Sequence, residues 1–155
     1  MDTGPTVVPA PLVAAFVRLR TLTDRGTDAI GQATLAEFMR QGLLPPHIRR
    51  MRTEYGRRRT AVLAAMQKYV QSAEPLAVPG GLHMVARLPD TADEAGAAQA
   101  CRAAGLAVAP LRAYYAGQPT MKGLVMGFAA TPTAMAADCA RRMEASLRSI
   151  APVMA

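Results

Sequence analysis

The chain has 155 residues, 51% apolar and 19% charged, and 18 Lys+Arg against 11 Asp+Glu give it a formal net charge of +7. That length suits one domain or a large piece of one, and the apolar share excludes wholesale disorder. No apolar run reaches the roughly 18 residues of a membrane span, no basic stretch precedes an apolar one at the N-terminus, and Cys101 and Cys139 lie too far apart for a zinc ribbon or a disulfide framework, which points to a reducing cytoplasm.

Val7 and Val8, between Pro5 and Pro9, read as the tail of a strand within 1–10. Pro11 suits a first helical turn, and Leu12, Val13, Phe16, Val17 and Leu19 recur at spacings of three and four, which predicts an amphipathic helix over 11–23. A turn at 23–28 leads to a second helix, 28–41, with Ile30, Leu35, Phe38 and Met39 apolar and Gly42 as its stop. Pro45-Pro46 opens a long helix over 46–71, in which Ile48, Met51, Tyr55, Val62, Met66 and Tyr69 form one broad face. The second half alternates: a strand at 82–88, an alanine-rich helix at 92–105 ended by Gly105, and a strand at 106–111. A loop at 119–123, a strand at 124–129 and a last helix, 133–149, capped by Thr133, follow. Helices first, then strand–helix–strand–strand–helix, is an α+β layout: a small sheet covered by helices.

The residues offer little self-contained chemistry. His47 and His83 have no carboxylate or cysteine at ligand spacing, and no metal site or catalytic residue is predicted. No serine sits in a nucleophile elbow and no glycine-rich phosphate loop occurs. Cys101 and Cys139 fall in helical patterns as small buried hydrophobes, and Lys68 and Lys122 read as solvated. The basic excess is concentrated at Arg49, Arg50, Arg52, Arg57, Arg58 and Arg59. Such a helix either clamps phosphates or presents a solvated charged face partly offset by Glu54, and no aromatic stacking platform accompanies it.

Residues 27–63 carry a more specific signal. Gly31-Gln32-Ala33-Thr34-Leu35-Ala36-Glu37-Phe38-Met39, Gly42, His47-Ile48-Arg49-Arg50-Met51-Arg52, Tyr55 and Arg57-Arg58-Arg59 together resemble the MocR family, in which a GntR-type winged-helix DNA-binding domain is fused to an aminotransferase-like domain of fold type I. Gly80-Gly81-Leu82-His83-Met84-Val85 with Leu88-Pro89, Ala107 to Leu111 with Tyr114-Tyr115, and Gly123 to Ala129 resemble the strands of that family's small domain. The resemblance runs from about Gly4 to Ile150.

The resemblance implies the C-terminal part of such a regulator. Residues 1–44 would be the end of the large domain with interdomain helices, and 45–155 the long linking helix with the small domain, of a superfamily itself classed α/β. It implies pyridoxal 5'-phosphate as cofactor of the full-length protein. None is expected to be stably bound by this chain: the family's Ser-x-Lys lysine falls ahead of Met1, and its phosphate-contacting arginine position holds Asp2. The loop before the second helix reaches the neighbouring subunit's cofactor phosphate in relatives, so Arg25, Thr27 and Gln32 are the implied cofactor-binding residues. A homodimer, a small amine or amino-acid effector, DNA contact only through a winged-helix domain missing here, and a cytoplasmic location without membrane contact are implied as well. No enzymatic activity is expected of this chain alone. The alternatives are a truncated class I/II aminotransferase and a stand-alone interaction or nucleic-acid-binding module. The family's substrate-carboxylate arginine maps to Val125, or to Leu124 in a shifted register, and counts against the first; the arginine helix is the support for the second. The apolar stripes of 11–41 would lack a large domain to cover them, so oligomerisation or marginal folding is expected of the isolated chain.

Overall fold

A computed structural model describes residues 7–24, 28–76 and 80–150; Asp2, Gly4, Pro5, Arg25 and Thr27, named above, lie outside them. The chain divides into two compact units, Met1–Arg50 and Met51–Ala155. The first holds a 3₁₀ turn, Ala10–Leu12, and two helices, α1 (Val13–Asp24) and α2 (Ala29–Arg40). The strand expected within 1–10 is not formed by its described part: Pro9 precedes the 3₁₀ turn and fixes its own backbone at φ −55°. The 26-residue helix α3 (Leu44–Tyr69) crosses the boundary between the units. Its two prolines sit in the first turn, where a missing N–H costs nothing.

The second unit continues with β1 (Glu74–Leu76), β2 (His83–Arg87), α4 (Glu94–Ala103), β3 (Val108–Pro110), β4 (Gly123–Gly127) and α5 (Ala136–Ile150). Among the described residues the strands form one antiparallel sheet in the order β1-β2-β4-β3. The α+β layout expected from the sequence is present, with β1 as an addition. Thr133 does not cap the last helix; it lies inside a 3₁₀ turn, Thr133–Met135, that follows Pro132 and leads into α5. Two helix stops are as expected. Gly42 and Gly105 take φ +71° and +77°. In each case the glycine N–H and the next N–H bond back to the helix, Gly42 to Met39 and Leu43 to Phe38, Gly105 to Arg102 and Leu106 to Cys101. This double back-bonding satisfies carbonyls that the helix end leaves open.

The core belongs to the second unit. Strand alternation sends Met84 and Ala86 of β2, Val108 of β3, and Leu124 and Met126 of β4 to one face. Val62 and Met66 of α3, Ala97, Ala98 and Cys101 of α4, and Ala140, Met143 and Leu147 of α5 complete the same cluster. Small alanines let the helices approach the sheet closely, and Phe128, just after β4, is buried in the same cluster. Burial rises along α3: Ile48 is exposed, Met51 and Tyr55 are half-buried, and Val62 and Met66 are buried.

Candidate functional site

Of the three residues implied as cofactor-binding, Arg25 and Thr27 lie outside the described residues. Gln32 stands in the first turn of α2 with its side chain exposed. Asp28 caps this helix, accepting the Gly31 N–H at 2.9 Å, and its carbonyl accepts the Gln32 N–H at 3.0 Å. The capping carboxylate already answers part of the helix-end field that a phosphate would seek.

The sheet face turned away from the core cluster is the second feature. Register places Leu76, Val85, Val125 and Ala109 in one row across it. His83 beside Gly127 lies at one end of that row, and Arg87 at the other, 3.7 Å from Glu74. This register separates the two positions matched to the carboxylate arginine. Leu124 is fully buried among the helices, whereas Val125 stands on the opposite face. An arginine at 124 would be an unpaired charge in the core, so only position 125 could present a guanidinium. Val125 makes that spot apolar.

The segment between β3 and β4 is anchored by a carboxylate the sequence did not single out. Glu94, in the first turn of α4, is only 6% exposed. Its Oε1 accepts the Gly123 N–H at 2.8 Å and the Arg112 N–H at 3.4 Å, and Arg112 Nε lies 3.9 Å from its Oε2. Lys122 corrects the expectation of a solvated lysine: it is half-buried and donates to the Ala92 carbonyl at 2.7 Å. Tyr115 and Thr120 share a hydroxyl–hydroxyl bond of 3.1 Å within the loop, while Tyr114 is exposed. The signal for Glu94 was its place directly after Asp93, a capping residue that accepts the Ala95 N–H; an acidic residue suits a first helical turn.

The arginine run is largely tied down. Arg57 and Arg58 both reach Glu54, at 3.4 and 2.8 Å, and Arg58 also donates to the Ala129 carbonyl beyond β4. Arg50 pairs with His47 Nδ1 at 3.2 Å, and the rings of His47 and Phe38 meet in a T-shaped contact. Arg49 and Arg59 have partners as well. Lys68 and Arg141 lie over the Tyr69 ring, the latter at 4.3 Å. These contacts favour a structural role for the basic helix over a phosphate clamp. Cys101 is wholly buried, and burial pushes its thiol pKa up, against a smaller opposing effect of Arg102. On the surface of α2, hydrogen bonds from Arg40 and then Gln41 lower the Glu37 carboxyl. Among the described residues no group of three His, Cys, Asp or Glu side chains is placed to hold a metal ion, and no helix is long and apolar enough to cross a membrane.

No protein-family model matches the chain. A probable rhizopine catabolism regulatory protein MocR of Rhizobium meliloti is 28% identical over 129 residues, covering 81% of this chain and 26% of that protein. The chain is similar to MocR-type regulators. Two uncharacterized HTH-type transcriptional regulators of Bacillus subtilis, YhdI and YdeL, are each 28% identical over 79% of the chain. The chain spans about a quarter of the length of these curated relatives. Among solved structures, the α-aminoadipate aminotransferase LysN of Thermus thermophilus superposes with a TM-score of 0.77, at 19% identity, over 93% of this chain and 37% of that one. The multiple substrate aminotransferase of Thermococcus profundus gives a TM-score of 0.73, at 23% identity, over 90% of this chain and 35% of that one. MocR-type likeness in sequence thus coincides with an aminotransferase fold, as the motifs implied.

Proposed function

We propose that this chain is the C-terminal part of a pyridoxal phosphate-dependent MocR-like transcriptional regulator, contributing the small domain of its effector-sensing, aminotransferase-like region. The single observation that carries this reading is the 28% identity to the MocR protein across 81% of the chain. In the whole protein, the cofactor supplies reactivity toward amines. This chain's residues would supply surroundings. Arg25, Thr27 and Gln32 have the donor chemistry to hold a phosphate of a partner subunit in a cytoplasmic homodimer. Val125, a buried apolar residue, stands where an aminotransferase places a carboxylate-binding arginine, so effector sensing fits better than ordinary transamination of amino acids.

Neither lysine is preceded two residues earlier by serine, since Met66 and Thr120 occupy those positions. The cofactor lysine and the winged-helix domain are therefore proposed to be encoded upstream. Sequencing the DNA in frame ahead of Met1 tests this. A Ser-x-Lys motif and, farther out, a winged-helix segment are expected. A stop codon with a ribosome-binding site directly before Met1 would overturn the reading.

A further inference from the structure

A cavity of about 200 Å³ opens in the second unit between α3, the lead into β3, β4 and α5. Val62, Met66, Leu106, Met126, Cys139 and Met143 form much of its wall. None of its lining residues is charged, and the polar groups on it are limited to the Thr131 hydroxyl, the Cys139 thiol and backbone. Gly127 and Ala130, both exposed, mark the mouth, while Met66 and Met143 at the back are 2% exposed. An empty apolar space of about 150 Å³ in another protein stays dry and takes up benzene. The wall offers water few side-chain polar partners, and wall atoms facing a void forgo dispersion contacts that a guest would restore. Methionine side chains adapt their shape to such a guest.

We propose that this cavity is a binding site for a small, uncharged, apolar molecule no larger than a single six-membered ring or a short alkyl chain. An amino acid or a phosphate is disfavoured because no charged residue lines the wall and the Arg142 guanidinium beside it is already engaged by the Ala104 carbonyl, Cys139 Sγ and Asp138. The site is separate from the sheet face around Val125 and does not depend on the regulator reading.

The test titrates benzene into the 155-residue chain carrying methyl-labelled methionine. The Met66, Met126 and Met143 methyl resonances are expected to shift saturably, with Met135, whose side chain is exposed, unmoved. Filling the space with Ala140→Leu is expected to weaken the benzene affinity at least tenfold. Should that variant fail to fold, wild-type Cys139 gives a second readout: saturating benzene is expected to slow its alkylation by an uncharged thiol reagent several-fold. Equal small shifts at every methionine, or no shift and no slowing of alkylation in the folded wild type, would overturn the proposal.

Discussion

The two units of this chain answer the same hydrophobic patterning in opposite ways. Residues 51–150 close a core in which Leu124, Cys101 and Ala86 lose all contact with water. In the first unit α2 buries no residue, Leu22 and Ile30 are 80% and 82% exposed, and Phe16, Val17 and Leu19 keep much of their surface. Amphipathic spacing at 11–23 and 28–41 therefore builds helices without building a core. A stripe of three-four spacing records which side of a helix wants cover; it does not record what covers it. The sheet is what distinguishes the second unit, because β2 and β4 give α4 and α5 a common apolar floor.

The contrast can be broken most forcefully at Phe128. Phe128→Ala is expected to cost about 3–5 kcal/mol in denaturant unfolding, because it leaves a void in a packed core. Glu94→Ala comes next, at about 1–3 kcal/mol, since the Gly123 N–H loses its acceptor in a buried setting; faster hydrogen exchange at Gly123 would locate the loss in the β3–β4 connection. Gly105→Ala is expected to cost about 1 kcal/mol, because its φ of +77° suits glycine. Cys101 supplies a pH test. Burial raises its folded pKa, so its contribution is complete below the ordinary thiol value of about 8.5 and fades as pH rises through the raised one. Unfolding free energy is expected to decline with alkaline pH by a component that Cys101→Ala removes. The smallest effect belongs to the first unit: Leu22→Ser is expected to change unfolding by less than about 0.5 kcal/mol, being a surface substitution. A large loss there would show that α1 is covered in solution, and light scattering would tell whether a second copy covers it.

Much of the fold was legible because spacing and punctuation agreed. Gly42 and Gly105 end their helices as the sequence suggests, and the strands at 83–87, 108–110 and 123–127 follow the predicted runs to within two residues. The strand at 74–76 escaped because Pro75 argues against a ladder, and a three-residue edge strand carries no periodicity to outweigh it. Lys122 and Glu94 escaped for a related reason: each is held by a backbone group roughly 30 residues away, and no local pattern encodes that meeting. The matched arginine position stayed open between Val125 and Leu124 until cross-strand register fixed which faces the core. Of the implied cofactor residues, Gln32 has an observed setting, and its role rests on the resemblance.

The Glu144 side chain carries one more consequence. From α5 it accepts the N–H groups of Gln71 and Ser72, each at 3.0 Å, and the Ser72 hydroxyl at 3.1 Å, so the chain leaving α3 is tied down by a residue more than seventy positions later. A growing polypeptide cannot make that contact until Glu144 has cleared the ribosome. Until then the end of the long helix lacks its clasp, and the sheet lacks Ala140, Met143 and Leu147 from its cover. This unit is therefore expected to assemble only once α5 has emerged rather than progressively, and nascent chains halted before residue 136 should remain sensitive to protease throughout.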